Sequence, residues 1–184
     1  EKALHIYKQL KDKAASMERR QLAKTGMLRS AHMLGNEEEI IFTATDLLAD
    51  TKLAPELSNE AHYYRAKAYL DAGKTDGAME DLKILAKDTR NVYGAEAKYK
   101  VAQIYFDGGQ TDKAEQEVLN YIEVSTPHTY WLARSFVLLA DVYMKSGRNL
   151  DAKQYLLSLK QNYQADDDIA GMIESRLEKL KTEN

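Results

Sequence analysis

The sequence has no cysteine among its 184 residues. Disulfide frameworks, thiolate metal sites and cysteine nucleophiles are therefore excluded. It has only two prolines, so little interrupts helical segments. Positive charge is not in excess: 26 Lys plus Arg stand against 29 Asp plus Glu, a net charge of −3. That balance supplies no electrostatic footprint for nucleic acid or for an anionic membrane surface. Long apolar runs are also missing. The charge-free stretch from Val124 to Ala133 beside the aromatic cluster falls well short of the roughly 18 apolar residues that a membrane span needs, so no membrane insertion is expected.

Motifs for chemistry are equally scarce. No Gly-x-Gly-x-x-Gly, phosphate-binding loop or Gly-x-Ser-x-Gly elbow occurs, and the Gly108-Gly109 pair falls in a repeat turn. His5, His32, His62 and His128 lie on separate expected helices without metal-ligand spacing; of these, His32 and His62 are the two to follow. The acidic runs Asp166-Asp167-Asp168 and Glu37-Glu38-Glu39 lack the alternating ligands and central glycine of a calcium loop. They suit the positive ends of helices instead. No catalytic residue, cofactor or metal is expected, and the chain reads as a non-enzyme.

What the sequence does contain is repetition. With 44% hydrophobic and 30% charged residues, the composition is that of a foldable chain rather than a disordered one. Ala66-Lys67-Ala68-Tyr69 with Gly73 and Ala78 reappears as Ala102-Gln103-Ile104-Tyr105 with Gly109 and Ala114, and as Ala140-Asp141-Val142-Tyr143 with Gly147 and Ala152. The glycines are 36 and 38 residues apart. Leu82, Val118 and Leu156 close each pattern four residues after the second alanine. Alanine and tyrosine three apart share one helix face, where the small residue admits a neighbouring helix and the ring fills the gap beside it. The glycine then ends the helix in a left-handed conformation. Thr75-Asp76, Thr111-Asp112 and Asn149 are expected to cap the return helix. Each unit is thus a helical hairpin, with Tyr69, Tyr105 and Tyr143 expected in the interhelix core.

This pattern resembles the tetratricopeptide repeat (TPR) family, whose unit is a helix-turn-helix of about 34 residues. The best match runs Ala95-Glu96-Ala97-Lys98-Tyr99-Lys100-Val101-Ala102-Gln103-Ile104-Tyr105, then Gly109, Ala114 and Tyr121. The sequence departs from the pattern at His62 and Lys98, where the family has a large aromatic that only Phe136 retains, and just after each turn. The expected organisation is one domain over 1–184: a return helix of a truncated repeat at 1–16, a divergent repeat at 17–54, repeats at 58–90, 94–126 and 128–164, and a capping helix at 166–182. In the first of these, Ala3, Tyr7 and Leu10 reproduce return-helix spacing. In the last, Ile169, Met172, Ile173, Leu177 and Leu180 form the apolar face. Beginning at Glu1 already in helical rhythm, the chain reads as a trimmed fragment. The fold class is all-α, a right-handed α-solenoid of about four and a half antiparallel hairpins. The segment Thr126–Phe136 is more narrowly similar to divergent TPR proteins of the bacterial cell envelope, which favours a periplasmic setting over the cytoplasm.

The resemblance implies noncatalytic binding of a protein or peptide in a concave groove lined by the first helix of each hairpin. Carried over by alignment, the groove positions are Arg29, His32 and Met33, then Glu60, Tyr63, Lys67, Leu70 and Asp71. They continue with Glu96, Tyr99, Lys100, Gln103 and Phe106, and end with Arg134, Val137, Asp141, Met144 and Lys145. Tyr63 and Tyr99 suit either groove or packing, and Trp131 with Tyr130 reads as packing at an irregular joint. The pattern carries no asparagine for the two-carboxylate clamp of chaperone-binding relatives: the matching positions hold Arg29, Tyr64, Lys67, Lys100, Gln103 and Asp141. The alternatives are a self-association module, forming a homo-oligomer, or a helical support for a catalytic or sensor part outside this sequence.

Overall fold

The structure is a computed structural model that describes residues 1–182. Ten α-helices account for the regular structure among the described residues: α1 (Lys2–Lys13), α2 (Met17–Leu34), α3 (Glu37–Leu48), α4 (Pro55–Asp71), α5 (Thr75–Leu85), α6 (Val92–Asp107), α7 (Thr111–Ile122), α8 (Thr129–Lys145), α9 (Asn149–Asn162) and α10 (Ile169–Thr182). The chain divides into two compact units, Glu1–Leu85 and Ala86–Asn184. In the first, α1 packs on α2, α2 on α3, α3 on α4 and α4 on α5. In the second, α6 packs on α7 and α8, α8 on α9, and α10 on both α8 and α9.

The hairpin turns are built by backbone hydrogen bonding around a glycine with positive φ. Gly35, Gly73, Gly109 and Gly147 have φ of 63°, 70°, 75° and 73°, a conformation that costs an L-residue its Cβ clash. After Gly73, the Lys74 N–H donates back to the Tyr69 carbonyl at 2.7 Å while the Gly73 N–H donates to Leu70 at 3.0 Å. This is the Schellman closure. The same pair of bonds recurs with Gln110 to Tyr105 and Gly109 to Phe106, and with Arg148 to Tyr143 and Gly147 to Met144. The residue after each glycine also starts the next helix, because its carbonyl accepts from Ala78, Ala114 or Ala152.

That double duty corrects the expected caps. Gln110 and Arg148 are the N-caps of α7 and α9, and neither makes a side-chain cap bond. Thr75, Thr111 and Asn149 are already the first residues of their helices. Where the connection is looser, side chains do cap: Ser16 accepts from the Arg19 N–H, Asn36 from Glu39 and Asn91 from Gly94.

The signature alanines line the hairpin seams. Ala66, Ala78, Ala102, Ala114, Ala140 and Ala152 are all buried, as are Leu82, Val118 and Leu156. Of the three tyrosines expected in the core, Tyr143 is buried, whereas Tyr69 and Tyr105 are half-buried. Their rings lie along the turn, where Tyr69 sits over Gly77 and the Lys113 ammonium stands 5.4 Å from the Tyr105 ring centre. α1 buries no residue, and Ala3 and Leu10 are exposed. Its half-buried Tyr7 presses on Gly26 of α2, and Lys8 and Lys11 pair with Glu39 and Asp46 of α3. On α10, Ile169, Ile173, Leu177 and Leu180 are buried and Met172 is half-buried.

The first unit also buries charge. Asp81 of α5 is 1% exposed. It accepts from Arg65 Nε at 2.8 Å and Nη2 at 2.8 Å, and its Oδ1 lies 2.7 Å from His62 Nδ1. Burial by itself would raise the Asp81 pKa, but the hydrogen bonds and charges of Arg65 and His62 prevail and hold it below the ordinary 3.8. Buried Lys24 of α2 pairs with Asp46 at 2.9 Å and Asp50 at 2.7 Å.

Gly109→Ala places a Cβ at φ 75° and is expected to cost about 1–2 kcal/mol, read as a lower denaturation midpoint. Asp81 has a depressed folded pKa, so its stabilisation is complete above the unfolded value near 3.8 and fades as pH falls through the folded value. Acid titration followed by hydrogen exchange should show α4 and α5 losing protection below that pH. Asp81→Asn is expected to cost about 3 kcal/mol at neutral pH and to flatten the acid dependence.

Candidate functional site

The first helices of the hairpins carry the positions singled out by sequence, and each unit presents its own face. In the first unit, α2 and α4 supply them. Arg29 reaches across to Glu60 with two 2.7 Å bonds, Nε to Oε1 and Nη2 to Oε2, and this fork buries Glu60. The His32 ring stacks on Tyr64 at 4.1 Å, and Tyr64 lies 5.8 Å from Tyr63. Lys67 stands 5.8 Å from the Tyr63 ring centre. Leu70 is half-buried and Asp71 exposed, while Met33 is 88% exposed. This face is an aromatic strip bounded by an ion pair. His62 does not join it, because its ring is engaged with Asp81.

In the second unit, α6, α8 and α10 surround a pocket of about 180 Å³. Six of the positions expected from sequence meet there: Tyr99, Gln103 and Phe106 of α6, and Arg134, Val137 and Asp141 of α8. Glu96, Lys100, Met144 and Lys145 lie outside its lining. Lys100 donates to Gln103 Oε1 at 3.2 Å, and the Lys145 ammonium stands 4.9 Å from the Phe106 ring centre.

Core packing and pocket lining overlap here. Tyr99 is only 5% exposed and Val137 is buried, so both are core residues that also line the wall. Tyr99 lies 5.6 Å from Trp131, which in turn meets Tyr130 edge-on at 5.0 Å. The Arg134 guanidinium sits over Tyr99 at 5.1 Å, Tyr130 at 5.7 Å and Trp131 at 6.0 Å. Burial lowers the Arg134 pKa, yet hydrogen bonds to Tyr130 and Tyr99 outweigh it and hold the group above the ordinary guanidinium range. It stays cationic at every working pH.

Sequence reasoning assigns α10 a covering role only and misses Met172 and Arg176, which complete the pocket. Arg176 grips Asp141 through Nε at 2.8 Å and Nη2 at 2.7 Å. A signal exists in the sequence: Arg176 interrupts the apolar stripe Ile169, Ile173, Leu177, Leu180 on its inward side. Because α10 lies against α8 and α9, it occupies the place that the first helix of a further hairpin would take. Asp107 and Leu138, also on the lining, carry no repeat signature. Among the described residues no cluster of three or more His, Cys, Asp or Glu could hold a metal ion, and no helix is long and apolar enough to cross a membrane.

The single tryptophan, Trp131, reports on this packing. Tyr99→Ala should remove about 3 kcal/mol from the second unit and shift Trp131 emission, whereas Gln103→Ala should change stability by less than about 0.5 kcal/mol.

No family model and no curated protein matches the sequence. Solved structures do match. MamA superposes with a TM-score of 0.65 at 18% identity, over 98% of this chain and 90% of that one. The nearly identical TPR-like repeats of a kinesin light chain candidate from Podosopora anserina give 0.62 at 19% identity, over 87% and 85%. A second MamA structure gives 0.51 at 18% identity, over 90% and 98%. At these identities the likeness concerns the fold, and with the glycine-closed hairpins above it establishes that this chain has the all-α, TPR-like solenoid fold.

Proposed function

We propose that the chain is a noncatalytic protein-interaction scaffold that holds a peptide or partner segment against its first-helix faces. One observation supports this above others: a polar-rimmed pocket on the first-helix face of the second unit, lined by Tyr99, Gln103, Phe106, Arg134, Val137 and Asp141. Tyrosine and arginine in a partly desolvated recess are the residue types that dominate binding energy at protein interfaces. The pocket is small, so it suits one or two side chains of an extended segment rather than a metabolite. In the first unit, the Tyr63–Tyr64–His32 strip with Met33 offers a second apolar contact surface. The likeness of Thr126–Phe136 to divergent TPR proteins of the bacterial cell envelope favours a partner in that compartment.

Because Tyr99 is core, a charged replacement there would confuse folding with binding. The informative variants are Met33→Glu in the first unit and Gln103→Arg in the second, both expected to keep the helical circular-dichroism signal and melting temperature. Affinity capture from native lysate with mass spectrometry should yield a protein retained by wild type and lost by one or both variants. A protein retained equally by all three contradicts the first-helix assignment. Recovery of the chain itself and nothing else supports self-association, for which α1 offers exposed Ile6 and Leu10.

A further inference from the structure

Two arginines border the second unit's pocket, and their electrostatic situations differ. Arg176 is neutralised: it forks onto Asp141, and its Nη1 donates to the Met172 carbonyl at 3.0 Å. Arg134 is not. Its Nη1 donates to the Tyr130 hydroxyl at 2.9 Å and its Nη2 to the Tyr99 hydroxyl at a long 3.4 Å, both neutral oxygens. Its Nε is buried with no acceptor. The carboxylate it reaches, Asp168, stands at 3.3 Å with its side chain 51% exposed, a distance beyond that of a strong charge-assisted bond. Three aromatic rings hold the guanidinium in place but bring no negative charge. A guanidinium has five N–H donors in a rigid fork matched to a carboxylate, and here that fork is only partly used.

We propose that Arg134 is the recognition residue of this face and receives an aspartate or glutamate side chain from a partner segment, with Asp168 as an intramolecular stand-in that yields to it. This rests on the scaffold reading above and specifies its partner. Phe106, Val137 and Met172 on the same lining accept an apolar side chain next to that acid. Asp107, also on the lining, has no cation partner among the described residues and repels a second acid. The fitting segment therefore pairs one acidic residue with an apolar neighbour and is not an acidic run. Among the described residues Asp168 makes no other side-chain hydrogen bond, so releasing it leaves the start of α10 intact, where Asp167 accepts from the Ile169 N–H at 3.0 Å.

The test uses ¹⁵N-labelled whole chain titrated with two probes, acetyl-Leu-Glu-Leu-amide and acetyl-Leu-Gln-Leu-amide, followed by backbone amide signals and the Arg134 Nε–H resonance. The glutamate peptide is expected to bind about three- to tenfold more tightly than the glutamine peptide and to move the Arg134 Nε–H signal. Arg134→Gln should erase that preference. Asp168→Asn, at an exposed position, should keep the melting temperature and tighten binding of the glutamate peptide about threefold. Equal affinity for both peptides, a preference that survives Arg134→Gln, an affinity unchanged by Asp168→Asn, or no binding of either peptide overturns the Arg134 assignment. The capture experiment separates the two levels: if it still yields a Gln103-dependent partner, the scaffold reading stands while the acid-recognition proposal falls.

Discussion

Reversing a helix within two or three residues is the constraint on which this structure depends. The chain meets it with one glycine at positive φ, followed by a residue that donates backward to one helix and accepts from the next. So tight a turn brings the two helices into close antiparallel contact, and three of the four glycine-closed hairpins place alanine at the first turn of the return helix, where α3 has Ile40. Ala78, Ala114 and Ala152 occupy that place and bury completely. The glycine-to-alanine spacing is thus a single mechanical device: the turn fixes the register, and the alanine permits the approach. With the hairpins set, the first helices of neighbouring hairpins in a unit lie side by side, and their outward residues form a common surface.

Because that logic is local, much of the fold was legible in the sequence. The turn glycines, the buried alanines and the closing Leu82, Val118 and Leu156 could all be read from spacing. The helix caps could not, because Gln110 and Arg148 act through the backbone and leave no side-chain signature. Nor could the half-exposure of Tyr69 and Tyr105. Periodicity places a residue on a face but does not say how far along the helix the neighbour extends. The buried triad of Asp81, Arg65 and His62 escaped notice for a related reason, since the separation of sixteen positions from Arg65 to Asp81 crosses a turn and carries no spacing signal.

The candidate surface shows the same division. Six positions inferred from alignment meet at one pocket because they sit on neighbouring first helices, α6 and α8. Tyr99, poised between groove and packing on the sequence alone, is a core residue that lines the pocket: its ring is buried and its hydroxyl faces Arg134. Met172 and Arg176 lay outside the inference because α10 shows no repeat motif, yet it packs where a further first helix would. The chemistry of the pocket comes from this coincidence. One arginine is forked onto an aspartate of the neighbouring helix, and the other is held among aromatic rings with a longer contact to Asp168.

The most direct measurement is photocrosslinking in the native cell with a benzophenone amino acid placed at Gln103, on the first-helix face of α6, and at Gln116, exposed on α7. The account predicts a discrete protein adduct from position 103 and none from position 116. An adduct from position 116 alone would contradict binding through the first-helix face.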